Sequence, residues 1–143
     1  MRKILMIALI LSTVIFSCKK DKASDPRDRF VGTWKGNYTL DIQGLPPGFP
    51  NVLPTSIVIS KSQSSSNEIE IRINNTLIQN QVANAVISGN QYIYKPLTLA
   101  TLTLNGAGEI SSDGKSISEE GTASGSLFEI PVSGTWTSAL TKQ

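Results

Sequence analysis

The side chains in this sequence that could carry chemistry are one cysteine, two close pairs of carboxylates, many hydroxyls, an Asp-Gly-Lys turn and a few aromatics. No histidine occurs. A Ser-His-Asp arrangement is therefore impossible, and acid–base and metal chemistry lose their commonest side chain. A Ser-Lys pair through Lys61 or Lys115 lacks any nucleophile elbow around a serine. Glycoside hydrolysis needs two facing carboxylates. Glu68 and Glu70 alternate with Ile69, Ile71 and Ile73, so both belong on the water side of a strand. Glu119 and Glu120 are adjacent, so one points inward, which a strand end at a barrel rim accommodates. Asp113-Gly114-Lys115 lacks the repeating acidic ligands of a calcium loop and reads as a hairpin turn. There is no Gly-rich phosphate loop. The sequence thus predicts no enzyme, no metal and no cofactor.

Cys18 stands where an apolar run ends. Arg2 and Lys3 precede that run, Ile4 to Phe16 form it, and Lys19, Lys20, Asp21 and Lys22 follow the cysteine. A basic start, a short apolar segment and a small residue before a cut are the marks of a secretory signal peptide. The run is short for a span, which takes roughly 20 apolar residues. Nothing near Cys18 could bury it, and no second cysteine exists for a disulfide.

Ile15-Phe16-Ser17-Cys18 resembles the lipobox of bacterial lipoproteins. The resemblance implies a diacylglycerol on the Cys18 sulfur, removal of residues 1–17, and a further acyl chain such as palmitate on the new amino terminus. Several acyl chains make a firm anchor, since each buried CH₂ adds about 0.8 kcal/mol. Lys19 and Lys20, rather than aspartate, then imply the outer membrane of a Gram-negative cell envelope, on its periplasmic or surface face.

The chain carries 13 basic and 11 acidic side chains, and Arg2 and Lys3 account for the excess. Residues 19–29 hold five basic and three acidic groups, whereas residues 30–143 hold six and eight. A nucleic-acid binder would show a basic stripe on its folded part, so no nucleic-acid partner is expected. Residues 18–29 are polar, contain Pro26 and read as a lipidated, flexible tether. The remaining 30–143 suffice for a single domain.

From Phe30 onward the sequence alternates with period two. The expected strands are 31–43, 54–62, 67–74, 82–88, 91–96, 98–111, 115–122 and 126–140, with a short helix as the alternative over 75–88. Leu97 and Leu99 keep one parity and Leu102 and Leu104 the other, which suggests a β-bulge near Ala100–Thr101. Gly89-Asn90 and Asp113-Gly114 tolerate the positive φ that hairpin turns demand. Some eight antiparallel strands joined by short turns make an all-β meander, closed into a small barrel or split into a β-sandwich.

Gly32-Thr33-Trp34 in the first strand and Gly134-Thr135-Trp136 in the last would lie in a closing seam if those strands pair. Phe30-Val31-Gly32-Thr33-Trp34-Lys35-Gly36 resembles the opening of the lipocalin and fatty-acid-binding-protein group. That resemblance implies a lipocalin-like barrel with an apolar pocket, in a shorter chain that lacks a disulfide.

The candidate ligand-binding or barrel-core residues are Trp34, Tyr38, Phe49, Tyr92, Tyr94, Phe128 and Trp136. Phe49 sits in the proline-rich loop Leu45 to Pro54, which could cap a barrel mouth. The expected function is a monomeric, membrane-anchored protein that binds a small apolar or amphipathic molecule. The alternative is an interaction module of the cell envelope that uses its outer face or the proline loop to hold a protein or glycan, with Phe49 or the pair Tyr92 and Tyr94 as the contacts to test.

Overall fold

The computed structural model describes residues 24–99, 101–127 and 129–143. Cys18 with its leader, Ala100 of the expected bulge, and Phe128 lie outside the described residues.

The alternating pattern folds as nine strands: β1 (Gly32–Gln43), β2 (Val52–Lys61), β3 (Glu68–Asn74), β4 (Gln81–Ser88), β5 (Gln91–Tyr94), β6 (Leu97–Leu99), β7 (Leu102–Ile110), β8 (Ser116–Leu127) and β9 (Ile130–Lys142). Each pairs antiparallel with its sequence neighbour, except that β5 pairs with β7 across the β6 arm. β9 pairs with β1 from Trp34↔Lys142 to Gln43↔Ser133. Eight strands therefore close on themselves, and β6 is the ninth. The sheet is a small lipocalin-like barrel and not a sandwich. Closure leaves no long unpaired strand edge.

Burial follows the alternation. Ile69, Ile71 and Ile73 are buried, while Glu68, Glu70 and Arg72 are not. Branched side chains suit such a pleated, half-buried surface, and each contributes roughly 1.5–3 kcal/mol on burial.

Two expectations about local structure change. Residues 81–88 form β4, so the helical alternative over 75–88 fails. Val82, Ala85 and Val86 sit among strand partners on β3 and β5, and pairing decides what periodicity left open. The parity change between Leu99 and Leu102 reflects antiparallel pairing of β6 with β7 rather than a bulge in one strand. Leu97 pairs with Leu104 and Leu99 with Leu102, so a tight hairpin puts all four on one face.

One end of the barrel is plugged. Pro26–Arg29, on the tether side of the expected boundary at Phe30, form a short 3-10 helix capped by the Asp25 side chain. Arg27 donates to the carbonyls of Ser62 (3.1 Å) and Ser65 (2.8 Å) in the β2–β3 loop. Lys61 pairs with Asp28 at 2.6 Å and with Asp25 at 3.1 Å. The Arg27 guanidinium, and then Lys61, hold the Asp25 carboxyl well below the usual carboxylate range. Phe30 then turns into the barrel, where its carbonyl accepts from Trp34 Nε1 at 2.9 Å and its ring meets Tyr92 edge-on at 5.7 Å.

Packing at this end demands a missing side chain. A Cβ on Gly108 would lie 2.2 Å from Tyr92 Cζ and 2.4 Å from its oxygen. The Tyr92 ring meets Phe30 edge-on at 5.7 Å and Tyr94 edge-on at 5.5 Å, and its hydroxyl donates to Glu119, so displacing it disturbs all three contacts. Gly108→Ala is expected to cost about 2–3 kcal/mol in urea unfolding, in line with overpacked cores. Combined with Tyr92→Ala, it should cost clearly less than the two separate losses added together. A loss for Gly108→Ala below about 0.5 kcal/mol, the range of neutral surface changes, would show that the ring is free to move.

Candidate functional site

The two Gly-Thr-Trp segments do lie in the pairing seam, but antiparallel register sends them to opposite ends. Trp34 stands opposite Lys142 at the plugged end, and Trp136 stands opposite Leu40 toward the open end. The Lys142 ammonium sits 5.1 Å from the centre of the Trp34 ring. Trp34 is thus part of the plug.

The other half of the barrel is hollow. A cavity of about 310 Å³ opens at the end where β1 passes into the proline-rich loop. Its walls are aliphatic, with Leu40 and Ile42 from β1, Leu53 from β2 and Ile73 from β3. Leu97 and Leu99 of β6 face Leu102 and Leu104 of β7 across the hairpin and complete the wall. Leu45, Phe49, Leu77 and Ile78 form the rim. No charged side chain lines the cavity among the described residues.

The floor is aromatic. Tyr38 and Trp136 stand 5.4 Å apart, and Tyr94 meets Trp136 edge-on at 6.1 Å. The Trp136 indole lies against β7 and β8 because both strands carry glycine there. A Cβ on Gly121 or on Gly106 would come within 2.5 Å of the indole ring.

Beneath that floor lies a polar cluster that the sequence did not lead us to expect. The register aligns Tyr38, Ser138, Glu119, Gly108 and Tyr92 in one row across five strands. Glu119 is only 3% exposed. Its Oε1 accepts from the hydroxyls of Tyr92 and Tyr94, both at 2.5 Å, and its Oε2 accepts from Ser138 at 2.6 Å. A buried carboxylate is tolerable when donors surround it in this way. Glu119 therefore sits inside the barrel, within β8, and not at a rim as expected. The signal was present in the sequence: Glu119 shares parity with Ile117, Gly121 and Ala123, all of which face inward. Burial, and next the Glu119 carboxylate, push the hydroxyls of Tyr38, Tyr92 and Tyr94 well above the usual tyrosine range. Tyr38 Oη and Trp136 Nε1 are buried and find no hydrogen-bond partner among the described residues.

The structure sorts the candidate residues accordingly. Tyr38, Phe49, Tyr94 and Trp136 line the cavity. Tyr92 belongs to the polar cluster and Trp34 to the plug. Tyr92 is 0% and Tyr94 8% exposed, so neither ring is presented on the outer face. Phe49 is half-buried at the rim, so the loop lies over the mouth rather than away from it.

No family model matches this sequence, and neither does any curated protein. Solved structures do match the fold. A de novo designed fluorescence-activating β-barrel is 13% identical with a TM-score of 0.52, covering 83% of this chain and 98% of the design. The S-type phycobiliprotein lyase of Guillardia theta is 5% identical with a TM-score of 0.51, covering 81% of this chain and 89% of the lyase. At such identities the likeness is one of fold alone.

Proposed function

We propose that this protein is a lipid-anchored carrier of the cell envelope, tethered through Cys18, that holds one small apolar molecule in the mouth of its barrel without transforming it. The observation that carries this reading is the uncharged, leucine-rich cavity of about 310 Å³. Ligand sites are typically concave, apolar and largely preformed. The cavity is about twice the ~150 Å³ of an apolar cavity that takes benzene, so it suits roughly a dozen carbon atoms. The likeness in fold to a fluorescence-activating barrel and to a phycobiliprotein lyase is compatible with this reading. A ligand of that size is expected to bind in the micromolar range, about 7–9 kcal/mol.

Residues 24–143 contain the plug and the whole closed barrel, and serve for the test. A fluorescent acyl probe or ANS should bind and be displaced by medium-chain alcohols. Leu40→Trp with Leu104→Trp fills the cavity from two walls. That variant should keep its near-UV circular dichroism and lose at least about tenfold in affinity, the 1.4 kcal/mol that several lost methylene contacts readily exceed. Unchanged binding in a folded variant would place the ligand elsewhere and refute the cavity reading. The anchor is tested separately in the full chain. Cys18→Ser should leave an uncleaved or soluble form, and wild-type partitioning into detergent would count against lipidation.

A further inference from the structure

We infer that the ligand enters apolar end first and leaves its polar group at the mouth. This inference rests on the cavity reading above and adds to it the chemistry of the ligand's leading end. The reason lies in how the floor disposes of its polar atoms. The hydroxyl of Tyr94 reaches past the cavity to Glu119, and the Tyr92 hydroxyl ends on the same oxygen. Ser138 fills the other carboxylate oxygen. Neither Glu119 nor Ser138 lines the cavity. Tyr38 Oη and Trp136 Nε1 lack partners among the described residues, but both are closed to a water-sized molecule. The floor therefore presents aromatic rings and no donor or acceptor that a water-sized group can reach.

A polar head pushed down to that floor would lose its water and gain nothing in return, a cost of roughly 2–7 kcal/mol. An anionic head would also meet the Glu119 carboxylate below the rings. At the other end the balance reverses. Asn75 and Asn105 are the polar residues of the lining apart from the floor rings, and Asn75 stands in the β3–β4 loop at the mouth. A head group left there keeps its hydration. The ligand class is thus one apolar tail of about ten carbons whose single polar group can be large, because it stays outside.

Trp136 reads the orientation directly. Two decanol derivatives are compared, one brominated at its terminal carbon and one at the carbon next to the hydroxyl, because bromine quenches indole fluorescence only on close approach. Binding of each is measured independently by calorimetry. The terminally brominated isomer is expected to quench Trp136 at least about threefold more than the other, as burial of the tail rather than the head requires. The comparison is made in the native barrel and in Trp34→Phe, so that the second indole cannot dominate. A decyl chain carrying an oligoethylene glycol head should bind within about threefold of decanol, since the head adds nothing to the buried contact. Equal or reversed quenching with both isomers bound overturns the orientation and leaves the cavity standing. Absence of calorimetric binding by either isomer overturns the cavity reading and this inference with it. Loss of binding on enlarging the head also overturns the orientation.

Discussion

Replacing Glu119 with alanine is expected to destabilise the barrel by about 3–5 kcal/mol at pH 7, out of a total that is typically 5–15 for a domain of this size. The loss does not come from the carboxylate alone. Tyr92, Tyr94 and Ser138 all donate to it from buried positions. Its removal leaves three donors without partners, each at a cost of roughly 1–3 kcal/mol. Glu119→Gln keeps an acceptor and the shape, and hydroxyls can turn from donor to acceptor. That variant should therefore lose only about 1–2 kcal/mol. Removing the whole network tests the logic from the other side. Glu119→Leu together with Tyr92→Phe, Tyr94→Phe and Ser138→Ala should recover most of the lost stability, because an unsatisfied polar cluster is worse than none. Urea unfolding of residues 24–143 measures all three. A Glu119→Ala loss within about 1 kcal/mol of zero, the net value of one ordinary hydrogen bond, would mean that the cluster does not hold the barrel together.

The second large effect is alkaline unfolding. All three tyrosines of the chain belong to this row or border it. Burial, and then the Glu119 carboxylate, raise their hydroxyls in the folded barrel, whereas the unfolded chain releases these protons near pH 10. Below that pH both states carry the protons, and the contribution of the neutral hydroxyls is fully present. Above it the unfolded chain has lost protons that the folded barrel still binds, so stability falls as pH rises. The slope reaches about 1.4 kcal/mol per pH unit for each tyrosine, or about 4 for the three together. Tyrosinate absorbance should therefore rise in one steep step above about pH 10, together with the loss of near-UV circular dichroism. Tyr38→Phe should flatten the step by about one proton without disturbing the Glu119 hydrogen bonds. A shallow titration centred near pH 10 in a barrel that stays folded would contradict the burial described here.

Much of the barrel was legible in the sequence because strand faces are local. Ile69, Ile71 and Ile73 alternate with Glu68, Glu70 and Arg72, and each side chain's face follows from its parity alone. Gly89-Asn90 and Asp113-Gly114 announced their turns through the backbone they permit, with Gly89 at φ 62° and Gly114 at φ 70°. Parity also put Tyr38 and Trp136 on the apolar faces of their strands, which made them fair candidates for the cavity they line. Where parity was followed along the chain without pairing partners, it misled. The change between Leu99 and Leu102 looked like a bulge, and only the β6–β7 pairing identifies it as a reversal.

The sequence by itself determined the alternating faces of most strands, where the chain turns, and that one all-β domain must cover an apolar interior, as a barrel or a sandwich. Only the tertiary structure decided the level of each inward residue along the barrel axis. That level depends on the stagger between strands, which no single strand encodes. The stagger sends one Gly-Thr-Trp segment to the plug and the other to the cavity floor. It brings Glu119 beside Tyr92, Tyr94 and Ser138, residues 19 to 27 positions away in sequence. It also gathers Phe30, Trp34 and Tyr92 at one end and leaves a cavity above Trp136 at the other, because whether a layer fills depends on the summed volume of side chains from eight strands at one height.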